Sequence, residues 1–352
     1  MKLNIAVLPG DGIGPEVMEQ AIKTLTATAA KFNFSIHFEE GLIGAAAIDQ
    51  TGNPLPDETI QLCQNSDAVL LGAVGHPKFD NDPNAKVRPE QGLLKIRKTL
   101  GLFANIRPVM TYPILYGTSP LKEHLIKDVD FVVYRELTGG IYFGEKGRKN
   151  NDTVAYDNCN YSVEEIQRIA KLAFEAAQHR RKKVTLVDKA NVLETSRLWR
   201  DTVKKFAASY PDITLDFMFV DNAAMKIIQN PSYFDVVLTE NMFGDILTDE
   251  ASVITGSIGM LPSASVGADK ALFEPIHGSY PEGAGKNIAN PFGTILSGAM
   301  MLESFELFEA ANSIKNAVQA AMDDGKVTID INPDNYFGTN QVGEYIVNKI
   351  KQ

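Results

Sequence analysis

Two carboxylates lie close together in the stretch NMFGDILTDE, residues 241–250. Asp245 and Asp249 are four residues apart, in what the pattern predicts to be the first turns of a helix. Side chains at this spacing share one helix face, with Cβ atoms about 5–6 Å apart, and like charges there repel by about 0.2–0.5 kcal/mol. Either the protein tolerates this small cost, or a cation between the two carboxylates offsets it.

Short apolar segments alternate with helical patterns along the chain. Residues 15–30 form the first such helical pattern. This alternation predicts α/β units in which the strands run parallel. The predicted strand segments are residues 5–8, 68–71, 131–133, 184–187, 217–220 and 236–238.

Charged residues follow four of these segments directly. In open α/β sheets, ligands bind beyond the carboxyl ends of the strands. We therefore predict an active site at that edge of the sheet. The residues that would lie there are Arg135, Asp188, Lys189, Asp221 and the stretch 241–249.

Three carboxylates at this edge are candidates for binding a metal ion. Asp221 taken alone would more simply begin a helix, where an N-cap contributes about 1 kcal/mol, and Asp245 could simply complement the helix dipole. Together with Asp249 they form a ligand set made only of oxygen atoms. Such a set suits Mg²⁺ or Mn²⁺, with water and substrate completing the coordination.

Cationic and phenolic side chains are candidates for binding and protonating an anionic substrate. Arg97, Arg107 and Arg135 could each be an ordinary surface residue, but guanidinium groups grip carboxylates with two parallel hydrogen bonds. Lys189 directly follows a predicted buried strand, which makes it a better candidate for a catalytic base than an exposed lysine. Tyr142 lies among apolar residues, where a tyrosine usually belongs to the core or to an interface.

The glycine-rich turn GDGIG, residues 10–14, resembles a phosphate-binding loop. Its spacing is not GxGxxG, however, and no acidic residue follows at a distance of about 20 positions. A conventional Rossmann nucleotide site is therefore not supported. His277 has no partner at metal-ligand spacing, so we expect it to stack on a ligand or to form a hydrogen bond.

Composition disfavours several classes of protein. The formal net charge is -10 over 352 residues, whereas nucleic-acid binding needs a clustered excess of Lys and Arg. The two cysteines form no CxxC pair and we identify no secretory leader, which favours a reducing compartment and a cytoplasmic location. No apolar stretch reaches about 18 residues, so we predict no membrane span.

Five motifs together resemble the β-decarboxylating dehydrogenases, the isocitrate/isopropylmalate dehydrogenase family. They follow the order of the family over essentially the whole chain, and the last four together are highly specific. The motifs are GDGIGPE (10–16), RELTGGIY (135–142), DKANVL (188–193), NMFGDILTD (241–249) and EPIHGS (274–279).

This resemblance implies an α/β fold that is not a Rossmann fold, with two α/β domains that share a large mixed sheet. The first domain would contain residues 1–101 and 255–352 and bind NAD, and the second would contain residues 102–254. Two subunits would pair through the second domain, with an arm near residues 150–162. Each active site would borrow residues from the neighbouring subunit, so the resemblance implies a homodimer.

The same resemblance assigns roles to individual residues. Arg97, Arg107 and Arg135 would bind the substrate carboxylates. Lys189, from the other subunit, would relay the proton of the substrate hydroxyl, and Tyr142 would protonate the carbon left after CO₂ departs. The metal ligands would be Asp245, Asp249 and, from the other subunit, Asp221, which would also face the substrate. The NAD-binding residues would be Glu90, Asn191, Gly256, His277, Gly278, Glu282 and Asn290.

Three apolar residues and one acid bear on specificity. Leu93, Leu94 and Val192 lie where the family recognises the group on the third carbon of the malate. An isopropyl group buried against them would contribute about 1.5–3 kcal/mol to the binding free energy. An unpaired carboxylate buried there would instead cost on the order of several kcal/mol. Leu93 and Leu94 could instead be plain helix core. Glu282 can accept from both ribose hydroxyls and repel a 2′-phosphate, which favours NAD.

The implied reaction converts (2R,3S)-3-isopropylmalate and NAD⁺ to 2-oxoisocaproate, CO₂ and NADH, a step of leucine biosynthesis. The metal would favour the alkoxide from which hydride leaves and then stabilise the enolate formed by decarboxylation. Alternative substrates within the family are tartrate, malate and homoisocitrate. Outside it, the alternative is a non-catalytic carboxylate-binding protein, which would not need Lys189 and Tyr142.

Overall fold

The strands and helices form in the order that the sequence indicates. The computed structural model describes residues 1–81 and 85–352. The strands are β1 (Lys2–Gly10), β2 (Ser35–Glu40), β3 (Ala68–Ala73), β4 (Ala104–Met110), β5 (Asp130–Glu136), β6 (Lys146–Lys149), β7 (Val154–Asp157), β8 (Lys183–Asp188), β9 (Thr214–Phe219), β10 (Val236–Thr239), β11 (Pro262–Val266) and β12 (Ala271–Pro275). The helices are α1 (Gly14–Lys31), α2 (Gly44–Thr51), α3 (Asp57–Asn65), α4 (Pro77–Asp80), α5 (Glu90–Thr99), α6 (Glu123–Ile126), α7 (Val163–Gln178), α8 (Glu194–Ala207), α9 (Val220–Gln229), α10 (Asn241–Ile254), α11 (Phe292–Ser304), α12 (Phe308–Asp323) and α13 (Thr339–Lys351). Short 3₁₀ turns span Pro113–Leu115, Gly140–Tyr142, Pro231–Tyr233, Ile258–Met260 and Pro281–Gly283.

The predicted strand segments are confirmed, with one residue misplaced. Val220 begins α9 instead of ending β9, and the predicted helix 15–30 lies within α1. The prediction of parallel strands is incomplete, because β4 runs antiparallel to β5 and β11 runs antiparallel to β12. The fold is therefore α/β with mixed strand directions, which confirms the expected fold class.

The chain divides into two compact units. The first contains Met1–Leu102 and Ser257–Gln352, and the second contains Phe103–Gly256. The resemblance places the domain boundaries at residues 101 and 254. Within residues 1–81 and 85–352, the helices are too short or too polar for any of them to traverse a lipid bilayer.

In the first unit the strand order is β2-β1-β3-β12-β11. β2, β1, β3 and β12 run parallel to one another. Leu8 of β1 and Leu71 of β3 are buried with Ile96 of α5 and Cys63 of α3 in one apolar cluster. This packing fixes α5, the helix that carries several of the candidate substrate residues, to the strands.

In the second unit the strand order is β4-β5-β10-β8-β9. Phe131 of β5 contacts Phe234, with ring centroids 5.8 Å apart. Leu247 of α10 and Ile227 of α9 are buried in the same cluster. This core holds both helices against the strands whose loops carry the candidate catalytic residues.

Parallel strands bring their carboxyl ends to one edge of the second unit. Arg135 of β5 lies beside Thr239 of β10, and Thr239 lies beside Val187 of β8. Asp188 of β8 in turn lies beside Phe219 of β9. The residues that follow these strands therefore emerge in a row, at a spacing of about 4.7–4.9 Å per strand. This is the edge at which the sequence predicts the active site.

The predicted arm contains a short hairpin. β6 and β7 pair antiparallel, and the turn between them holds three left-handed residues, Asn150, Asn151 and Asp152, at φ 53°, 53° and 65°. Asn and Asp tolerate this conformation better than other residues with side chains. Strand β7 thus lies within the predicted arm, and the role of the arm in subunit contact stays a prediction.

Candidate active site

Helix α10 presents its aspartates beside the candidate arginines. Glu240 precedes the helix, and its carboxylate accepts a hydrogen bond from the backbone N–H of Phe243 at 2.8 Å. Gly244 lets the helix approach β5, because a Cβ atom there would lie 2.6 Å from Cγ of Arg135. This close approach places Asp245, the next residue, at the guanidinium group of Arg135.

Asp245 bonds to two of the predicted functional residues. Nη1 of Arg135 donates to its Oδ1 at 2.5 Å, and the hydroxyl of Tyr142 donates to its Oδ2 at 2.9 Å. The Arg135 side chain is only 8% exposed, whereas Asp245 is partly open to solvent. The ion pair therefore has a buried cation and a carboxylate that a ligand can reach.

Asp249 faces a second arginine. Nη1 of Arg107 donates to Oδ1 of Asp249 at 3.1 Å and to Oγ1 of Thr248 at 2.8 Å, and its Nε donates to Oδ1 of Asn105 at 2.8 Å. The side chain of Asp249 is 73% exposed. Each of the two neighbouring carboxylates on α10 thus has its own guanidinium group, which offsets the repulsion between them.

Tyr142 ends a 3₁₀ turn on the surface of the second unit. Burial of its hydroxyl and the hydrogen bond to Asp245 raise the pKa of Tyr142 above the ordinary tyrosine value of 10.0. The phenol therefore keeps its proton at neutral pH and can serve as a proton donor. Its exposure excludes the alternative of a residue in the core.

Lys189 and Asp221 form a separate ion pair, with Nζ 2.7 Å from Oδ1. Lys189 follows the buried Asp188, whose carboxylate accepts two hydrogen bonds from Arg200, both at 2.8 Å. The bond from Lys189 holds the pKa of Asp221 below its usual value. The interpretation of Asp221 as an N-cap is wrong, because Phe219 occupies the cap position and Asp221 lies inside the helix.

The three predicted metal ligands do not meet within one chain. Among residues 1–81 and 85–352, no three His, Cys, Asp or Glu side chains lie close enough to hold one ion together. Asp245 and Asp249 supply two of the three predicted ligands, while Asp221 pairs with Lys189. The donors themselves fit Mg²⁺ or Mn²⁺, since all are carboxylate oxygens and two of the carboxylates are mostly exposed.

Arg97 lies on α5 in the first unit. Its Nη2 donates to Oε1 of Glu274 at 2.6 Å. Its buried Nε has no hydrogen-bond partner in the part of the chain that the structure describes, and a buried donor of this kind is satisfied when an anion binds. Leu93 packs against the core, whereas Leu94 is 53% exposed. The alternative of plain helix core therefore fits Leu93 and is wrong for Leu94.

His277 is a buried candidate for contact with the cofactor. Burial lowers the pKa of its imidazole below 6.5, so the ring is neutral at pH 7. Its Nδ1 lies 2.9 Å from the carbonyl oxygen of Gly278, and no described residue bonds to its buried Nε2. A Cβ atom at Gly278 would meet nothing within 4 Å. A buried ring nitrogen without a hydrogen-bond partner among the described residues fits a ligand-binding position.

The other cofactor candidates differ in exposure. Glu90, Glu282 and Asn191 are exposed. Asn290 is buried, and its Nδ2 donates to Oδ2 of Asp330 at 3.0 Å while its Oδ1 accepts from the first backbone N–H of α11 at 2.9 Å. Asn290 therefore has structural partners in addition to its predicted contact with NAD.

Two candidates lie in loops of the second unit. Gly256 has a φ of 81°, and a Cβ atom there would lie 2.4 Å from Oγ1 of Thr118, so the turn requires glycine. Val192, in the loop after β8, exposes its side chain to solvent. Val192 thus offers apolar surface to a ligand.

Sequence reasoning passed over two residues that hold this site together. Oδ1 of Asn241 accepts from Nε and Nη2 of Arg135 at 3.2 and 2.9 Å. Oε2 of the buried Glu136 accepts from the backbone N–H of Gly139 at 2.7 Å, just ahead of Tyr142. Both lie inside recognised motifs, directly after β10 and at the end of β5. Their position within these motifs is the only feature of the sequence that indicates a role in the site. Neither residue has a charged partner nearby in the sequence that would indicate its contacts.

The chain matches a family model described as isocitrate/isopropylmalate dehydrogenase over residues 4–346. A protein named 3-isopropylmalate dehydrogenase from Bacteroides fragilis is 54% identical over 100% of both chains. Proteins of the same name from Geobacillus kaustophilus and Aquifex aeolicus are 55% and 50% identical. These matches cover 97% and 100% of this chain, and 94% and 98% of the relatives.

Solved structures agree with the sequence matches. An isocitrate dehydrogenase from Methylococcus capsulatus has a TM-score of 0.88 at 35% identity, over 99% of this chain and 100% of that chain. A β-decarboxylating dehydrogenase from Thermococcus kodakarensis has a TM-score of 0.83 at 36% identity, over 99% and 96%. The motifs, the fold and these full-length matches lead to one conclusion. This chain belongs to the isocitrate/isopropylmalate dehydrogenase family of β-decarboxylating dehydrogenases.

Proposed function

We propose that this protein oxidises and decarboxylates (2R,3S)-3-isopropylmalate to 2-oxoisocaproate and CO₂ with reduction of NAD⁺, a cytoplasmic step of leucine biosynthesis. Relatives that are 50–55% identical are named 3-isopropylmalate dehydrogenase. The structural observation that supports the proposal most is the cluster at Asp245, which bonds to both Arg135 and Tyr142. An anion-binding group and a proton donor converge there, as decarboxylation followed by protonation requires.

Arg97, Arg107 and Arg135 would bind the two carboxylates of the malate. In the second unit the charges of Arg107 and Arg135 are already balanced by Asp245 and Asp249. A dicarboxylate substrate would therefore bring two uncompensated negative charges. A divalent cation restores the balance, which supports a metal-dependent reaction.

Two cofactors would take part in the reaction, a divalent metal ion and NAD⁺. Asp245, Asp249 and the partner subunit's Asp221 would ligate Mg²⁺ or Mn²⁺, which supplies Lewis-acid stabilisation of negative charge on the substrate oxygen. NAD⁺ supplies the hydride acceptor. Its proposed contacts are Glu90, Asn191, Gly256, His277, Gly278, Glu282 and Asn290.

Two side chains would move protons. The partner subunit's Lys189, as the neutral amine, would accept the proton of the substrate hydroxyl, and the ammonium group formed would be stabilised by its contact with Asp221. Tyr142 would deliver a proton to the carbon that loses CO₂. Its raised pKa keeps that proton on the phenol at neutral pH, and the bond to Asp245 fixes the direction of the hydroxyl.

An isopropyl side chain fits the apolar candidates better than the alternative groups. Leu94 and Val192 expose their side chains, and Leu93, the residue before Leu94, is partly buried. Malate and tartrate have no alkyl group that could cover this surface, and homoisocitrate would place a charged carboxylate there. Isopropylmalate is therefore the favoured substrate.

Helix α10 supports the proposal of a homodimer with shared sites. Ile246 and Val253 are 59% and 53% exposed and seven residues apart, so they lie on one helical stripe, and Asp249 lies between them on the same stripe. An exposed apolar stripe is typical of a helix that packs against a partner. A second copy that covered this stripe would lie next to Asp249, where the partner's Asp221 is needed.

An absorbance assay for NADH tests the proposed function. We expect NADH to form from NAD⁺ and isopropylmalate, formation to stop when a chelator is added, and an excess of Mn²⁺ or Mg²⁺ to restore it. We also expect kcat/KM to be higher for isopropylmalate than for malate, tartrate or homoisocitrate. Full activity in metal-free buffer would contradict the metal assignment, and a better substrate among the other acids would contradict the substrate assignment.

A further inference from the structure

We propose that Asn241 is a positioning residue that couples substrate binding by Arg135 to proton donation by Tyr142. The roles of those two residues rest on the proposed function, and the inference adds a third residue that acts through both. Asn241 is the first residue of α10 and is buried. Its amide is neutral, and one end accepts hydrogen bonds while the other donates them.

The acceptor end of the amide fixes the guanidinium group. Oδ1 of Asn241 accepts from Nε of Arg135 at 3.2 Å and from Nη2 at 2.9 Å, while Nη1 faces Asp245. These bonds set the plane of the guanidinium group. A carboxylate at this position would form a second ion pair and weaken the attraction of Arg135 for a substrate anion, whereas the neutral amide adds no negative charge to that of Asp245.

The donor end of the amide fixes the turn that carries the phenol. Nδ2 of Asn241 donates to the carbonyl oxygen of Gly139 at 3.2 Å. Gly139 directly precedes the 3₁₀ turn that ends at Tyr142. Gly139 is also packed tightly, since a Cβ atom there would lie 2.7 Å from the ring of Tyr161. A shift of this carbonyl group would therefore move the Tyr142 turn as a whole.

The backbone of Asn241 is anchored as well. Its N–H donates to the hydroxyl of Tyr161 at 3.0 Å, and that hydroxyl donates to Oε2 of Glu240 at 3.1 Å. The orientation of the amide follows from its partners, because a guanidinium group can only donate and a carbonyl can only accept. One side chain thus connects the anion-binding arginine with the loop of the proton donor.

A double-mutant cycle tests the coupling. We expect Asn241→Ala to lower kcat by about 10–100-fold through Tyr142 and to raise KM for isopropylmalate about tenfold through Arg135. In a Tyr142→Phe background the loss in kcat should disappear, because the proton donor is already absent, whereas the rise in KM should remain. The matched control is Ser252→Ala, a buried polar change on the same helix, which should alter both constants by less than about threefold.

The stereochemistry of protonation gives a readout that stability does not affect. In D₂O the wild type should place deuterium on one face of the third carbon, because a fixed phenol delivers it. Asn241→Ala should give product labelled on both faces, as measured by NMR after reduction to a chiral hydroxy acid of known configuration. Labelling of a single face by the variant would overturn the role of Asn241 in positioning Tyr142.

Two further outcomes separate this inference from the proposed function. The first outcome is that the wild type reduces NAD⁺ with isopropylmalate but Asn241→Ala leaves kcat and KM unchanged, or lowers kcat equally with and without Tyr142→Phe. In that case the coupling is wrong and the proposed function stands. If the wild type does not use isopropylmalate, the proposed function is wrong, and the cycle is repeated with the hydroxy acid that it does oxidise. Asn241→Ser replaces the alanine variant if circular dichroism shows that the latter does not fold.

Discussion

Neutral amides hold two of the arginines assigned to the substrate. Asn105 accepts from Nε of Arg107, and Asn241 accepts from Nε and Nη2 of Arg135. Because an amide oxygen carries no net charge, these bonds orient the guanidinium groups without cancelling their attraction for an anion. Orientation before binding reduces the entropy lost when the substrate binds.

Leu94 allows substrate choice to be tested with one side chain. It is exposed on α5, one turn before Arg97. Leu94→Ala removes apolar surface that an isopropyl group would cover, and we expect kcat/KM for isopropylmalate to fall about tenfold. Turnover of malate, which has no isopropyl group, should not change, and steady-state kinetics with both acids measure the difference. A similar loss with both acids would rule out a specific contact with the alkyl group.

The spacing of Asp245 and Asp249 leaves two alternatives, a tolerated repulsion or an offsetting cation, and the structure places Arg135 and Arg107 against these carboxylates. The source of that charge could not be predicted from spacing, because the two pairs are 110 and 142 residues apart in sequence. Only the pairing of strands brings them together. The role of Asn241 could not be predicted from its residue type, since an uncharged residue at the start of a helix is most often present for capping.

Helix α7 begins with a capping box, which can be tested by its effect on stability. Oγ of Ser162 accepts from the N–H of Glu165 at 3.2 Å, and Oε2 of Glu165 accepts from the N–H of Ser162 at 2.8 Å. We expect Ser162→Ala to lower the free energy of unfolding by about 1 kcal/mol, measured by urea denaturation. Ser209→Ala, at an exposed serine after α8, is the control and should stay within about 0.5 kcal/mol of the wild type. Equal losses in the two variants would contradict the assignment.

Elements differ in how well the sequence predicts them. The Ser-x-x-Glu pattern of 162–165 marks a helix start by itself. Strand β4 gives no such signal, because Arg107 and Pro108 interrupt its apolar residues, and proline has no N–H to donate to a neighbouring strand. Strand β11, with the sequence PSASV, is too poor in large apolar residues to be recognised. Strands β4 and β11 each take part in an antiparallel pair of the large sheet. Because both are absent from the predicted segments, the sequence predicts parallel strands alone.

Shared active sites can be tested with mixed dimers. In one chain Asp221 pairs with Lys189, while Asp249 pairs with Arg107. Asp221→Ala and Asp249→Ala should each abolish activity as homodimers. A heterodimer of the two, purified through different affinity tags, contains one site with both aspartates intact, so it should recover roughly half of the wild-type activity in the presence of Mn²⁺.

The matched control for this experiment uses two changes in the same half of the site. A heterodimer of Asp245→Ala and Asp249→Ala has one aspartate missing from each site, so it should remain inactive. Absence of activity in the heterodimer of Asp221→Ala and Asp249→Ala would contradict the sharing of sites between subunits. Measurement of NADH formation with isopropylmalate gives both results in the same assay.

At the scale of the whole molecule, the order of the five motifs was sufficient to predict the family and the mixed α/β fold. Local patterns do not specify whether one chain or two would complete the proposed metal site, because Asp221 lies on α9 whereas Asp245 and Asp249 lie on α10. The ion pair between Lys189 and Asp221 illustrates this. Its members are 32 residues apart, and only the parallel pairing of β8 with β9 brings them together.

The stripe on α10 imposes a constraint on how this protein can diverge. Ile246 and Val253 flank Asp249 on the same face. In the proposed homodimer, recognition between copies and the metal site would therefore depend on one row of side chains. A substitution on this face that weakened recognition between copies would also disrupt the metal site. The two properties could not then evolve independently of each other.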